Sequence, residues 1–393
     1  MMGTPFRVSA AGLLALVLVA GAMIDACGTS GTSTTRSPAP AASTSSAPNT
    51  SSATAPGSAP TSPSAAAAGS PAPAPVPASG AFGVLLGPWY LNGTSYSVSL
   101  VGIDGRVVAS AVASSPGTFQ CPNGGAAAAV QAPVSTSNTR AYYMDAQGVV
   151  RFLAPNGDTG QVTTLSIGPA RRSMFAISPD DQRIAVIVAD FTSDGATTTL
   201  YVEDLNGGGN RVTPFHESDA FTIWPTGWHG TNNLVVAKVA ACSGPSCCGP
   251  LELHLVDPTS AVRRVTIGGP NCQIVGTPSP AGAVCVDRNY QVATVFDWTA
   301  SQTDGFPIGG PTQAYLSPDG QHVAVVPVGP GLGTSIYRTN TTLSLQACGW
   351  IDNSHVIAPG DTQAQSRVAD ITNSSVAPVP AGGYCAGRIP GGL

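Results

Sequence analysis

A short motif recurs in this sequence and constrains the fold more than any other feature. Residues 316–326 read LSPDGQHVAVV, and residues 177–188 read ISPDDQRIAVIV. In this tetrad the Ser caps a tight turn, the Pro fixes φ at the second position, the Asp bonds back to the backbone, and a final Gly accepts a positive φ. A tight turn followed at once by β-branched residues indicates a hairpin whose second strand is buried.

Further copies extend this pattern along the chain. Turn-then-strand segments lie at 134–145, 227–237, 279–286 and 349–358, with a degenerate copy at 87–98. Aligned on Pro179, Trp228, Pro280, Pro318 and Trp350, the spacings are 49, 52, 38 and 32 residues. A period of about 43 residues is what four short strands and their turns require.

The repeat predicts an all-β domain over residues 81–393. No long run has apolar residues at helical spacing, so the sheets are expected to be antiparallel. Four-stranded blades cannot bury both faces alone, and therefore they stack around an axis as a β-propeller. Seven motif positions favour seven blades, and six is the alternative if the first copy is only a closing strand. The short last repeats predict that strands from both ends of the chain close the ring.

A family resemblance supports this interpretation. The pattern SPDG-x-x-[IV]-A, followed by LYVEDLNGG at 200–208, resembles the propeller repeat of the TolB family, which is related to WD-repeat propellers. The similarity is clearest at 171–215 and 311–326, and the amino-terminal domain of TolB has no counterpart here. The resemblance implies a propeller that works through protein contacts without catalysis.

The first 80 residues have a different character. Arg7, an apolar run over 10–24 and then Cys27 predict a signal peptide over 1–26. The letters IDAC resemble a bacterial lipobox and predict a lipid on Cys27, although Asp25 departs from that pattern and ordinary secretion is the alternative. Residues 28–80 are almost entirely Ser, Thr, Pro, Ala and Gly, with a single charge at Arg36, which predicts a disordered tether of roughly 40 Å from Cys27 to residue 80. We expect the protein at the cell surface, on the outer face of the cytoplasmic membrane, where the lipid alone anchors it. Partial secretion is compatible with this prediction.

The cysteines predict disulfides. Eight of the nine follow Cys27, and an even number in an exported chain favours pairing. These are Cys121, Cys242, Cys247, Cys248, Cys272, Cys285, Cys348 and Cys385. Zinc is the alternative at 242–248, but no second Cys pair has zinc-ribbon spacing. Nearness in sequence predicts the pairs Cys272–Cys285 and Cys348–Cys385.

Charge and motifs exclude several functions. The chain has 16 basic and 21 acidic residues, and without a basic face we expect no nucleic-acid binding. No nucleophile elbow, His-Glu-x-x-His motif or phosphate loop is present in the sequence, so we assign no catalytic residue, metal or cofactor.

Two tryptophans are the leading candidates for a ligand site. Trp228 and Trp350 occupy equivalent repeat positions, and His229 and Asp352 stand beside them. Large aromatics at repeat positions commonly pack between blades, whereas an exposed ring would be a platform for a glycan or a protein. We therefore predict Trp228, His229, Trp350 and Asp352 as ligand-binding residues.

Two functional hypotheses remain. In the first, the protein is a monomeric binding module for an envelope protein or a cell-wall polymer. In the second, the central channel of the ring holds a metal-dependent, lactonase-like hydrolase or lyase site built from several blades. A site spread over blades leaves no local motif.

Overall fold

The structure of the protein is a computed structural model. The model describes residues 80–88, 94–118, 120–122, 126–242, 250–329, 332–339, 341–360 and 365–393. The predicted signal peptide, Cys27, the tether up to residue 79, and Cys247 and Cys248 lie outside the described residues. Over the described ranges the chain forms strands and turns, and it contains no helix long and apolar enough to cross a membrane.

The described strands form seven antiparallel sheets of four strands each. Blade 1 contains β1 (Phe82–Leu86), β2 (Ser95–Gly102), β3 (Val107–Ser114) and β28 (Tyr384–Ile389). Blade 2 contains β4 (Val134–Thr136), β5 (Ala141–Met144), β6 (Val149–Leu153) and β7 (Thr159–Thr164). Blade 3 contains β8 (Arg171–Ile177), β9 (Arg183–Phe191), β10 (Ala196–Asp204) and β11 (Val212–Asp219). Blade 4 contains β12 (Phe221–His229), β13 (Asn233–Ala240), β14 (Glu252–Val256) and β15 (Arg263–Gly268).

The remaining three blades follow the same order. Blade 5 contains β16 (Cys272–Ser279), β17 (Gly282–Asp287), β18 (Val292–Phe296) and β19 (Gln302–Pro307). Blade 6 contains β20 (Thr312–Leu316), β21 (Val323–Pro327), β22 (Thr334–Tyr337) and β23 (Thr342–Leu343). Blade 7 contains β24 (Gly349–Trp350), β25 (His355–Ala358), β26 (Arg367–Asp370) and β27 (Val376–Pro378). The predicted seven-bladed β-propeller is confirmed.

The ring closes with strands from both ends of the domain, as the sequence predicts. Strand β28 pairs with β1, which places Arg388 opposite Gly83. The inner strands of the blades are β28, β4, β8, β12, β16, β20 and β24, and they pack against their neighbours around the axis. Each blade remains an open four-stranded sheet, so the ring leaves only short, protected edges.

The degenerate copy at 87–98 is not a turn of the repeated kind. It connects β1 to β2, which are the second and third strands of blade 1. Because β28 supplies the inner strand of that blade, the inner strand and the second strand have no direct connection. The seven motif positions match the seven blades in number. The first position, however, lies at the turn between the second and third strands of its blade, and not at the turn that follows the inner strand.

The repeated tetrad turns an inner strand into the second strand of its blade. In blade 3, the Ser178 Oγ accepts a hydrogen bond from the Arg183 backbone N–H at 2.9 Å. In blade 6, the Ser317 Oγ accepts from the His322 N–H at 2.9 Å. The fourth position has φ of +72° at Gly320, which a residue without a Cβ adopts at little cost.

At the fourth position of blade 3 an Asp replaces Gly and joins two blades. Asp181 has φ of +59° and is buried. Its carboxylate accepts hydrogen bonds from the Tyr142 hydroxyl at 2.6 Å and the Thr139 hydroxyl at 2.5 Å, both in blade 2. Hydrogen bonds from two hydroxyls satisfy the buried charge and hold the blades in register.

Among the described residues, disulfides add three covalent ties. The structure contains both predicted pairs, Cys272–Cys285 within blade 5 and Cys348–Cys385 from the start of blade 7 to β28. It also contains Cys121–Cys242, which joins residues 121 positions apart. This third bond ties the connection after blade 1 to blade 4.

Candidate functional site

A cavity of about 210 Å³ lies on the axis of the ring. Its walls come from the inner strands of every blade except blade 3. Two segments outside the blades, at 131–132 and 392–393, complete the lining. The cavity is therefore a product of ring closure, since no single blade forms more than one side of it.

The connection over 126–132 enters the ring from the face where the inner strands begin. Ala128 and Ala129 are buried, and the Ala129 backbone bonds to the Ala241 carbonyl at 2.8 Å. The Trp224 indole N–H donates to the Ala129 carbonyl at 3.1 Å. The Cys121–Cys242 disulfide anchors this connection to blade 4, so that Gln131 and the residue after it reach the cavity.

Residues 390–393 cross the opposite face, where the inner strands end. The Gly391 N–H donates to the Ser137 carbonyl and the Leu393 N–H donates to the Trp228 carbonyl, each at 2.7 Å. This path runs from blade 1 past blades 2 and 3 to blade 4. These residues do not cover the side of the opening formed by blades 5, 6 and 7. We call this side the open rim and define it by Ser279, Pro318 and Trp350.

Both predicted tryptophans line the cavity, but mainly as packing residues. Trp228 is 0% exposed, and its indole N–H donates to the Ala176 carbonyl of blade 3 at 3.1 Å. The Arg183 guanidinium lies 4.8 Å from the centre of that ring. Trp350 is 5% exposed and donates to the Tyr315 carbonyl of blade 6 at 2.8 Å. Each indole thus joins two blades. This is the packing role that the sequence analysis gave as the alternative to a platform for a ligand.

The two polar candidates lie at the same end of the channel. The His229 Nδ1 lies 2.7 Å from the Leu393 backbone oxygen, so it contacts the segment that crosses the opening. Asp352 accepts hydrogen bonds from the Ser354 and His355 N–H groups at 2.8 and 2.7 Å, and the His355 ring lies 2.9 Å from the same carboxylate. The structure brings all four predicted residues to one end of the ring, while contact with a ligand stays a prediction for each.

Sequence reasoning missed the charged residue of the cavity. Arg388 lies on β28 and lines the cavity. Among the described residues, no carboxylate lies within ion-pair distance of its guanidinium. Burial lowers the pKa of Arg388, and the charge of Asp352 opposes that shift from beyond contact distance. An Arg keeps its charge even so, and the cavity therefore carries a cation without a paired anion.

Two unpartnered polar groups share this cavity. Burial raises the pKa of Tyr315 to about 12, so its hydroxyl is a hydrogen-bond donor at neutral pH. That hydroxyl has no hydrogen-bond partner within the described part of the chain. The Gln131 Oε1 is buried and also lacks a partner among described residues. No local motif marks these residues, because they are separated by up to 257 positions in the chain.

A second cavity, of about 280 Å³, lies between the outer parts of blades 3 and 4. Its ionisable lining residues are Glu217, Asp219, Lys238, Glu252, His254 and Arg263. Lys238 Nζ lies 3.8 Å from Glu252, and the buried His254 lies 3.4 Å from the same carboxylate. Because residues of six blades line the central cavity and residues of only two blades line this one, we place the candidate site at the central cavity.

Metal ligands do not converge in the described residues. No group of three or more His, Cys, Asp or Glu side chains there has the arrangement of a metal site. The ionisable side chains that line the central cavity, apart from disulfide cysteines, are those of Arg388 and Tyr315. Both donate hydrogen bonds at neutral pH, which is chemistry suited to holding an anionic group.

Comparison with known proteins yields structural neighbours only. The chain matches no protein-family model and no curated protein. TolB from Acinetobacter baumannii is similar at 12% identity with a TM-score of 0.41, over 79% of this chain and 66% of TolB. The C-terminal WD40 domain of Sif2 is similar at 11% identity with a TM-score of 0.39, over 63% of this chain and 71% of that domain. Dihydro-heme d1 dehydrogenase NirN, in complex with DHE, is similar at 12% identity with a TM-score of 0.40, over 81% of this chain and 79% of that protein. The assignment of the fold rests on the strand pairing of this chain itself.

Proposed function

We propose that this propeller is a non-catalytic binding module of the cell envelope whose open rim receives a segment of a partner protein. The observation that carries the proposal is the central cavity, which combines apolar walls with one unpaired guanidinium. At about 210 Å³ it has the volume of roughly seven water molecules at ~30 Å³ each. Pockets for drug-sized ligands occupy roughly 300 Å³ or more, so this cavity suits a single inserted side chain.

The size of the cavity also favours a protein over a wall polymer. A polymer chain of several sugar units needs an open groove rather than a compartment of this volume. A protein can insert one side chain while its backbone stays on the rim, as anchor residues do at interfaces. The rim presents the half-buried Pro318, which is an apolar contact of the kind that such anchors use.

The amino-terminal segment and the disulfides support the proposed location at the cell surface. Three disulfides persist in oxidising compartments, which is consistent with export. Cys27 carries the lipid, and residues 27–80 hold the propeller away from the membrane. Cys27→Ser releases the protein into the medium or leaves the precursor uncut. A native mature chain that is free and begins elsewhere would contradict the anchor.

Site-specific photo-crosslinking in the cells that express the protein tests the binding function. A photoreactive residue at Pro318, on the open rim, is expected to yield one discrete protein adduct. The same residue at Gln302, exposed on the outer strand β19, is the matched control and is expected to yield none. A heterogeneous adduct that wall-degrading enzymes remove would indicate a polymer instead. Equal crosslinking from both positions, or none from Pro318, would contradict the proposal.

A further inference from the structure

The guanidinium of Arg388 occupies an unusual position for a charge. Strand β28 places it on the axis of the ring, where it is half-buried. The nearest acidic influence is Asp352, whose carboxylate is engaged by the Ser354 N–H and by His355. Withdrawal of a charge from water costs free energy, and a paired anion offsets that cost. This cation lacks such a partner among the described residues, which indicates that an anion from outside the chain completes the site.

The shape of a guanidinium selects among anions. Its planar fork of N–H groups matches a carboxylate, with two parallel hydrogen bonds. The Tyr315 hydroxyl, which stays protonated, adds a further donor on the wall formed by blade 6. Gln131 lies on the wall formed by the 126–132 connection, and its Oε1 is buried. Two kinds of donor, the guanidinium and the hydroxyl, suit a carboxylate on a short chain.

We propose that the central cavity binds a carboxylate group, held by the Arg388 guanidinium with the Tyr315 hydroxyl as a second donor. The volume of the cavity admits a carboxylate on a few carbon atoms, as in a free short-chain acid or an Asp or Glu side chain of a partner. The inference deepens the proposed function and rests on it only where the carboxylate belongs to a protein. The chemistry at Arg388 is the same for both sources.

Calorimetric titration of the full chain with acetate and succinate tests the binding chemistry. Each acid is compared with its neutral amide and with phosphate, at concentrations up to about 10 mM, which detects even millimolar affinity. We expect the acids to bind, the amides not to bind, and phosphate to bind more weakly. Arg388→Gln is expected to weaken binding by roughly 10- to 100-fold, because hydrogen bonds to a charged group contribute about 1.5–3 kcal/mol.

Matched variants separate binding from folding. Arg388→Lys keeps the charge but loses the fork, so it is expected to give an intermediate affinity. Tyr315→Phe is expected to weaken binding several-fold. Arg106→Gln removes an exposed arginine, whose side chain is 84% accessible, and is expected to leave binding unchanged. The unfolding midpoint of each variant without added acid establishes that it is folded, and Arg388→Lys decides the outcome if Arg388→Gln does not fold.

Several outcomes would overturn the inference. These are equal binding of acids and amides, equal or tighter binding of phosphate, or an Arg388→Lys affinity equal to that of the wild type. Peptides bearing Asp or Glu, set against free succinate, then identify the source of the carboxylate. If acids do not bind but the Pro318 crosslink still captures a protein, the carboxylate site fails while the binding function stands. If acids bind and no protein is captured, the site stands and the protein-binding function fails.

Discussion

The Cys121–Cys242 disulfide is expected to be the largest single covalent contribution to the stability of the propeller. The three disulfides close loops of 121, 37 and 13 residues, and these loops do not overlap in sequence. Each bond therefore restricts a separate part of the unfolded chain. The test replaces both cysteines of one pair by alanine and leaves the other two pairs intact.

The expected magnitudes follow from the loop lengths. Restriction of the unfolded chain contributes about 4.9 kcal/mol for the 121-residue loop, about 3.8 for the 37-residue loop and about 2.9 for the 13-residue loop. The longest loop also anchors the 126–132 connection, so that its loss removes packing around Ala128 and Ala129. Removal of this bond should therefore lower the free energy of unfolding more than removal of either of the others.

Urea unfolding followed by tryptophan fluorescence measures the three differences. The double variants Cys121→Ala/Cys242→Ala and Cys272→Ala/Cys285→Ala form the sharpest comparison, since their loops differ most in length. Reduction of all three bonds in the wild type is the control, and it should remove most of a stability of about 5–15 kcal/mol. If the Cys272–Cys285 variant were destabilised more than the Cys121–Cys242 variant, the argument from the unfolded chain would be refuted.

Two further predictions concern buried side chains. Trp228→Phe is expected to destabilise the protein by about 2 kcal/mol, about half from the hydrogen bond to Ala176 and about half from roughly 40 Å³ of lost ring volume. A change below about 0.5 kcal/mol in urea unfolding would show that the ring does not hold blades 3 and 4 together. Burial lowers the pKa of His254 from its ordinary 6.5, so the unfolded chain takes up a proton more readily than the folded chain. Stability should be full above about pH 6.5 and should fall as the pH drops below it, and His254→Gln should flatten this dependence. Identical pH profiles of stability for the wild type and the variant would exclude this role.

Local physics made the turns and strands of this protein predictable. The tetrad at 178–181 encodes its turn through hydrogen bonds and backbone angles within a few residues, and the structure has that turn. Nearness in sequence likewise predicted the disulfides Cys272–Cys285 and Cys348–Cys385, and the structure contains both. The number of blades followed from the spacing of such local signals.

Simple alternation along the strand after the tetrad does not reproduce its burial. Alternation predicts that Val323 and Val325 point into the core while Ala324 points away. In the structure Val323 and Ala324 are both buried, whereas Val325 is only half-buried. Strand β21 is the second strand of its blade, so neighbouring blades cover both of its faces. Which faces a strand buries depends on the sheets packed against it, and the sequence of one strand does not contain that information.

The sequence by itself therefore determined an all-β ring of seven blades, because its turn signals act over a few residues and recur. Only the tertiary structure decided that β28 completes blade 1, that Cys121 meets Cys242, and that Arg388 and Gln131 share one cavity. Those contacts join segments up to hundreds of residues apart, and they form only when closure of the ring brings both ends of the domain together. A site on the axis of a propeller is assembled from residues of several blades. For that reason no continuous stretch of sequence can predict it.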